Sequence, residues 1–496
     1  MNKKHWEDAF THLSDKHIQE AASYKRPRVL PYMSAIAACL VCAILLSLFA
    51  PKEPLTATPT DPTVTTQPQI PNGYKPPKDF QGTLTPVTIK QSTSSALLSA
   101  PVYPLMAPYS TENYAAWNDS LRQIHYTDLG YANNLDAYFK KICSTVLSQQ
   151  SGNGVFSPLN IYMALSMLAE TTDGESRQQI LDLLNAEDLD ALRHQAEQLW
   201  RAHYYNDGLA TSILGSSLWL DDSYTYNEDT VKSLADYYYA SVFRGDLGTA
   251  AMDDALRQWL NDNTGDLLQD QVSDVTLPPD AALALATTIF YQVQWNDPLS
   301  GGHTGIFHAP SGDQQVEFLH DYDPYGEYYW GEDFGATCIG LRDGSRMWLI
   351  LPDEGKTPQD LLKSGYAMDM VLSSRSYRQY KQMQVSINVP KFDITSDLQL
   401  KDALKALGVT DIFGEDADFT TILPEEDTAY VKNIQHAARL MMDEEGISAS
   451  AYTIITVDGT AEPPTDRIDL VFDRPFLFVV ESKDGLPLFM GTVYES

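Results

Sequence analysis

The chain has 496 residues, enough for two or three average domains or for one large domain with appended segments. Its 34 Lys and Arg against 67 Asp and Glu give a formal net charge of −33, which argues against a body that binds nucleic acid or anionic lipid. The four cysteines suggest no disulfide framework, so the apolar core must hold the fold together. For an extracellular protein, this pattern is more typical of a bacterial surface protein than of an animal secreted one.

The first fifty residues predict a membrane anchor. Residues 1–30 form a mixed-charge cytoplasmic segment, and a basic cluster near its end precedes the apolar residues of segment 31–50. The uncharged run within that segment is long enough to cross a bilayer, and the basic cluster orients it with the N-terminus inside and the rest outside. A cleaved signal peptide and a lipoprotein site at Cys39 are the alternatives. The long, partly acidic region before the run favours an uncleaved signal-anchor.

Residues 51–95 are rich in Pro and Thr and predict an extended spacer. The body, residues 96–496, begins mainly with helical patterns and ends mainly with strand patterns, without a βαβ rhythm. This order predicts an α+β fold in which a helical N-terminal part packs on large, mainly antiparallel sheets. Helical patterns cover 135–147, 255–263 and 398–407; strand patterns cover 282–291, 347–351, 384–389, 468–472 and 476–481.

One stretch near the C-terminus alternates with a period of two from residue 447 to residue 457. Small or apolar residues occupy one face, namely Ile447, Ala449, Ala451, Thr453, Ile455 and Val457. Such alternation is typical of a half-buried strand, but its span of roughly 36 Å is about twice the usual strand length. The stretch then ends in a turn-rich, charged patch that predicts an exposed loop. Spacing alone favours an ordinary hairpin strand with a long turn; the flanking motifs favour a different interpretation.

The sequence carries no recognisable catalytic motif. It contains no nucleophile elbow, metalloprotease helix, phosphate-binding loop or dinucleotide fingerprint, and its ten histidines do not cluster. His308 and His320 lack a partner at metal-ligand spacing, so we expect no metal site and no cofactor. Carboxylate pairs are so frequent that their chance occurrence predicts nothing. We therefore expect a protein that is not an enzyme.

Several stretches, in the expected order, resemble the serpin family of protease inhibitors. They cover roughly residues 130–496, and the closing motifs are the most similar ones. The matching segments are VFSPLNIYMALSML (155–168), TIFYQVQW (288–295), VPKF (389–392), LKDALKALGVTDIF (400–413), ADFTTI (417–422), DEEG (443–446), RPFLF (474–478) and LFMG (488–491).

The resemblance implies a reactive-centre loop that a protease cleaves and that then inserts as an extra strand into the central sheet. The hinge and inserting residues implied are Glu444, Glu445, Gly446, Ile447, Ala449, Ala451 and Thr453. The residues implied to control sheet opening are Ser157, Asn160, His436, Lys391 and Trp295. Glu444 and Lys391 would pair where the loop enters the sheet, beside Trp295, while Ser157 and His436 would form part of a polar cluster beneath the sheet.

The attacked bond follows from counting along the loop. Fourteen residues on from Gly446, the family spacing places it at Thr460–Ala461, whereas counting back from Pro475 places it nearer Pro464. We prefer the first count because insertion constrains the length on that side. The chain also departs from the family pattern: Asn160, Thr287, Thr288 and Ile447 replace the usual Ser, Asn, Ala and Thr or Ser.

The resemblance implies a covalent complex with a serine or cysteine protease as partner. The small side chains around Thr460, and the absence of Lys or Arg before Arg467, favour elastase- or subtilisin-like targets, or a papain-like one. We expect a monomer, held at the cell membrane by a single span with its body outside. Two alternatives remain: a non-inhibitory binding or structural protein on the same fold, and a membrane-anchored sensor.

Overall fold

The structure is a computed structural model, and it describes residues 96–495 except 111, 150–151, 266–268, 375, 425–428, 433 and 448–463. The described residues belong to one compact unit. None of the helices described is both long and apolar enough to span a bilayer. The predicted cytoplasmic segment 1–30, signal-anchor 31–50 and spacer 51–95 lie outside the described residues.

Most helices lie in the first half of the body. They are α1 (Tyr114–Ile124), α2 (Asp136–Val146), α3 (Pro158–Thr171), α4 (Gly174–Leu184), α5 (Leu189–His203), α6 (Glu228–Tyr238), α7 (Ala250–Thr264), α8 (Gln269–Val272), α9 (Pro358–Ser364), α10 (Tyr366–Leu372) and α11 (Lys401–Ala406). Side chains that accept a backbone N–H start several of them. Asp188 caps α5, Asn227 caps α6, and Thr357 forms a capping box with Asp360 at α9.

The strands form two large sheets. They are β1 (Leu97–Ser99), β2 (Gly154–Phe156), β3 (Tyr205–Asn206), β4 (Ala210–Asp221), β5 (Ala240–Gly245), β6 (Leu283–Gln294), β7 (Thr304–Ala309), β8 (Gly312–Trp330), β9 (Phe334–Gly340), β10 (Arg346–Pro352), β11 (Tyr380–Pro390), β12 (Phe392–Gln399), β13 (Gln435–Met442), β14 (Gly446–Ile447), β15 (Arg467–Val471), β16 (Phe476–Glu481) and β17 (Pro487–Val493).

The central sheet has the order β1-β5-β4-β6-β14-β13-β12, with β3 paired to β4. The second sheet has the order β15-β11-β8-β9-β10-β16-β17-β2, with β7 paired to β8. All pairings between these strands are antiparallel except β4 with β5 and β11 with β15. The α+β fold with large, mainly antiparallel sheets is confirmed.

Helix α3 lies in the core between the two sheets. It contacts β6 of the central sheet and β17 of the second sheet, and nearly every residue in it is buried. A helix that is apolar on all sides requires apolar neighbours on all sides, which two flanking sheets provide. The sequence run from residue 158 to 171 therefore determines where the core lies.

The predicted helix 398–407 begins later than expected. Residues 398 and 399 complete β12, which pairs with β13 along its whole length up to Gln399 and Gln435. The next amide, of Leu400, donates to Ile434 O at 2.8 Å, so the chain leaves the ladder only there. Tertiary pairing overrides the local helical preference of the first two residues.

Strand β14 has only two residues, yet it lies in the interior of the central sheet, between β6 and β13. The chain leaves β13 at Met442, turns, and returns as Gly446–Ile447 between β13 and β6. Ile447 is the Cα partner of both Met442 and Val293, and only 1% of its surface is exposed. The first residue of the alternating stretch is therefore already a core residue of the sheet.

We expect Gly446→Val to displace β14 from the sheet. A Cβ at this position would lie 2.2 Å from Val293 O and 2.8 Å from Gln294 Cα, and backbone atoms in a ladder cannot yield as a side chain does. Hydrogen exchange should show lost protection of the amides of residues 446–447, and overpacking of this kind costs about 1–3 kcal/mol.

Gly301→Val is the matched control, because a Cβ there meets no atom within 4 Å. Its exchange pattern should equal that of the unsubstituted chain. Retained protection at residues 446–447 in Gly446→Val would contradict the close approach.

Candidate functional site

A tight turn brings the chain back into the central sheet. Asp443 Oδ1 accepts hydrogen bonds from the amides of Glu445 at 2.9 Å and Gly446 at 3.0 Å, and the Asp443 amide donates to Gly446 O at 3.1 Å. An Asp side chain that binds amides two and three residues ahead stabilises such a reversal. Burial, followed by the neighbouring charge of Glu444, raises the pKa of Asp443.

Trp295 holds the turn from the end of β6. Its backbone amide donates to Glu445 O at 2.9 Å, and its indole Nε1 donates to Asp443 O at 2.9 Å. The Leu299 amide donates to Glu444 O at 2.8 Å. Trp295 is fully buried, so these bonds form away from solvent. Three consecutive carbonyls of the turn are thus satisfied from one neighbouring segment.

Lys391 and Glu444 form an ion pair at the outer side of the turn. Lys391 Nζ lies 2.5 Å from Glu444 Oε1 and 3.6 Å from Glu317 Oε2. The hydrogen bond that Lys391 donates to Glu444 raises the pKa of Lys391. Burial raises the pKa of Glu444, but the hydrogen bond from Lys391, a backbone hydrogen bond and the charge of Lys391 together outweigh it, so the net shift is downward. About a third of each side chain is exposed, so the pair contributes at most about 1 kcal/mol. The expected contact is present, and its role in loop insertion stays a prediction.

Among the acidic side chains of the hinge, the Glu445 carboxylate has the fewest favourable contacts to offset its burial and the neighbouring negative charges. Burial, and then the charges of Asp443 and Glu444, raise its pKa, and Arg342 only partly offsets them. Its backbone carbonyl, however, is bound by Trp295. Four predicted hinge residues thus lie together where β14 enters between β6 and β13: Glu444, Glu445, Gly446 and Ile447. The boundary between β6 and β13 that β14 enters is called the gap below.

Sequence reasoning missed Arg342 and Asp443. Arg342 Nε donates to Trp295 O at 3.1 Å, and its Nη1 donates to Gln294 Oε1 at 2.7 Å, so it braces the end of β6. Nothing in the sequence around Arg342 indicates this contact. Asp443 could have been found, because an Asp three residues before a Gly is a turn signal.

A polar cluster lies beneath the sheet at the start of α3. Ser157 caps this helix: its Oγ accepts from the Asn160 amide at 3.1 Å, and its own amide donates to His436 Nε2 at 3.0 Å. His436 is on β13, so this bond joins the helix to one side of the gap. The structure brings Ser157, Asn160 and His436 together; Lys391 and Trp295 belong to the hinge.

Asn160 is 1% exposed, and its Nδ2 has no hydrogen-bond partner among the residues the structure describes. The same holds for the hydroxyl of Thr288 on β6, which is 3% exposed. A buried polar group without a partner costs about 1–3 kcal/mol. Sequence analysis had singled out both positions as departures from the family pattern.

The far end of the loop is fixed to the second sheet. Gln384 Nε2 donates to Pro464 O at 2.7 Å, and the Gln384 amide donates to Asp466 O at 2.9 Å. The chain from 448 to 463 therefore connects β14 in one sheet to β15 in the other. Ala449, Ala451, Thr453 and the predicted attacked bond Thr460–Ala461 fall in this segment, outside the described residues.

No group of three or more His, Cys, Asp and Glu side chains in the described part of the body is arranged to hold a metal ion. His308 pairs with Asp313 at 2.7 Å, and His320 Nδ1 lies 3.0 Å from Ile387 O.

We expect His436 to make folding sensitive to acid. Burial lowers its pKa from 6.5 to about 4. Between these values the unfolded chain binds the proton and the folded chain does not. The free energy of unfolding is therefore unaffected by this proton above pH 6.5 and falls as the pH drops towards 4. The loss amounts to roughly 3 kcal/mol at most. His436→Gln should flatten the decline of the unfolding midpoint between pH 6.5 and 4.

The exposed His303 provides the control. His303→Gln should leave the decline unchanged; an equal decline in all three proteins would mean that His436 does not cause it.

Comparison with known proteins agrees with this geometry. A family profile described as "Serpin (serine protease inhibitor)" matches residues 133–496. Neuroserpin from Mus musculus is 26% identical over 360 residues, which cover 69% of this chain and 85% of that protein.

Solved structures show the same fold. The thermophilic serpin tengpin in its native state aligns with a TM-score of 0.66 and 22% identity, covering 75% of this chain and 95% of that one. Thyroxine-binding globulin in complex with thyroxine aligns with a TM-score of 0.63 and 19% identity, covering 73% and 98%. From residue 133 onwards the chain belongs to the serpin family, which comprises protease inhibitors and non-inhibitory proteins and is not a family of enzymes.

Proposed function

We propose that this serpin is a suicide-substrate inhibitor that traps a serine or cysteine protease when its cleaved loop inserts into the central sheet. The observation that carries the proposal is β14: Gly446 and Ile447 already pair with β6 on one side and β13 on the other. β14 is thus the strand that loop insertion after cleavage would lengthen, and it already lies between β6 and β13, the two strands that would flank the inserted loop.

The sequence after Ile447 suits continued insertion. In the register set by Ile447, the residues Ala449, Ala451 and Thr453 would follow it onto the core face, and all three are small enough to pack there. About ten further residues, each gaining backbone hydrogen bonds worth roughly 1 kcal/mol, supply a driving force on the order of 10 kcal/mol. That is enough to displace and distort an acyl-enzyme attached to the loop.

The attacked bond is proposed to be Thr460–Ala461, fourteen residues beyond Gly446. No Lys or Arg occurs between Ile447 and Asp466, which argues against a trypsin-like target. The small residues at this position fit the shallow specificity pockets of elastase-like and subtilisin-like enzymes.

A non-inhibitory binding protein is the second candidate. Two observations favour it: Ile447 replaces the small polar residue usual at this position, and thyroxine-binding globulin, on the same fold, is a ligand-binding protein by its name. A membrane-anchored sensor, with residues 1–30 contacting a cytoplasmic partner, has no structural observation in its favour.

We further propose that segment 31–50 anchors a monomeric bacterial-type protein in the cell membrane, with the serpin body outside. The uncharged run and the basic cluster before it support this orientation. Cys143 and Cys338, the cysteines that the described residues include, are both free, so the body does not use them as a disulfide staple. An exposed position would let the loop meet proteases that attack the cell surface.

Mixing residues 96–496 with elastase or subtilisin should give a complex that survives denaturing electrophoresis, with loss of protease activity. The mass of the released C-terminal peptide should place the cleavage between Thr460 and Ala461. Thr453→Arg should abolish the complex while leaving cleavage intact, because a charge would have to enter the core during insertion.

Tyr452→Arg is the control, since residue 452 lies on the opposite face of the alternating stretch and should still give the complex. Clean cleavage with fully active protease in the unsubstituted protein would exclude inhibition of that enzyme and put the binding-protein hypothesis first.

The location is tested on intact cells with a membrane-impermeant protease or label. The body should be cleaved or labelled from outside, and a cytoplasmic control protein should not. Protection equal to that of the cytoplasmic protein would exclude a cell-surface inhibitor.

A further inference from the structure

A small polar cavity lies beneath the central sheet, next to the strand that borders the inserting loop. It is enclosed by five segments that belong to both sheets and to α5, and it has room for about one water molecule. The polar side chains lining it are those of His203, Tyr205, Ser212, Tyr291, Asp343, Ser482 and Lys483.

Two of these side chains carry polar atoms that are unpartnered within the described structure, His203 Nε2 and Ser212 Oγ. Both residues are at most 3% exposed. His203 Nδ1 lies 2.8 Å from Leu199 O, and a carbonyl accepts only, so Nδ1 carries the proton. The Nε2 atom is then a bare acceptor, and its missing partner must be a donor.

The charged groups around the cavity are already held in place. Lys483 Nζ donates to Tyr205 Oη at 2.6 Å and lies 3.5 Å from His125 Nδ1. Asp343 accepts from the Ser345 amide at 2.9 Å and from Tyr291 Oη at 3.0 Å.

A charged guest does not suit this lining. An anion would face the Asp343 carboxylate and the lone pair of His203, and a cation would face the Lys483 ammonium. A neutral molecule that donates a hydrogen bond to His203 and either donates one to Ser212 or accepts one from it would satisfy both unpartnered atoms. Water has this hydrogen-bonding capacity and fits the size of the cavity.

The position of the cavity gives its guest a mechanical role. Ser212 is the Cα partner of Tyr205 on β3 and of Tyr291 on β6, so the three form one row across the sheet. Two residues beyond Tyr291, on the same face, Val293 pairs with Ile447 of β14. Asp343 lies in the connection from β9 to β10, and Lys483 lies in the connection from β16 to β17. These four strands belong to the second sheet.

We propose that the cavity binds one water molecule that links His203 and Ser212, and that the resulting polar cluster anchors the β4–β6 side of the gap to the second sheet. Insertion of further loop residues between β6 and β13 requires these strands to separate, so the anchor opposes opening. This consequence rests on the proposed loop insertion, whereas the water site and the anchoring of β6 do not.

The test compares Ser212→Ala with Thr211→Val in the full-length chain. Thr211 is the neighbouring residue on the opposite face of β4; it is also fully buried, and its hydroxyl also lacks a partner among the described residues. If Ser212 were as unpartnered as Thr211, the two substitutions would have the same effect. If Ser212 binds water, only Ser212→Ala leaves a buried water or His203 without a hydrogen bond.

A high-resolution crystal structure of the unsubstituted chain should show a water peak within hydrogen-bond distance of His203 Nε2 and Ser212 Oγ. Hydrogen exchange of the β6 amides from Tyr291 to Gln294 should be about 3- to 10-fold faster in Ser212→Ala and unchanged in Thr211→Val. An empty cavity, or equal exchange in the two variants, would overturn the proposal. Because neither readout involves a protease, failure of inhibition would not alter either result.

Discussion

The close approach of Gly446 to the backbone of β6 is the constraint on which the rest of the site depends. A hydrogen in place of a side chain lets the turn after β13 reach Val293 and Gln294, and Ile447 can then pair on both sides. Trp295 satisfies the carbonyls of the turn, and Asp443 satisfies its amides. Without that contact the loop would have to leave the sheet before the hinge.

Beneath the gap, polar groups take the place of an uninterrupted apolar core. On the β13 side, His436 bonds to the cap of α3; on the β6 side, Tyr291 bonds to the Asp343 turn. Each contact joins one edge of the gap to the layer below it. The edges are thus held by hydrogen bonds that are few and local, whereas a packed apolar interface would have to be separated over its whole area at once.

The sequence predicted the body well where local patterns and packing agree. The helical pattern at 135–147 coincides closely with α2, and the strand pattern at 476–481 coincides with β16. It was wrong at residues 398 and 399, which have a helical pattern but complete a ladder with β13. The motifs singled out Lys391, Glu444, Trp295, Ser157 and His436, whose contacts the structure shows and whose roles in sheet opening stay predictions. They did not indicate Arg342, whose partners are a backbone carbonyl and a glutamine distant in sequence.

By itself, the sequence determined the family, the mixed architecture and the alternating pattern after Gly446, because these follow from residue order, periodicity and short motifs. Tertiary structure alone decided that β14 already lies between β6 and β13, since that position depends on backbone pairing among three segments distant in the chain. It also decided that His203, Ser212, Asp343 and Lys483 surround one cavity. These four residues form no motif, and only the packing of the two sheets and α5 against each other brings their side chains to one cavity.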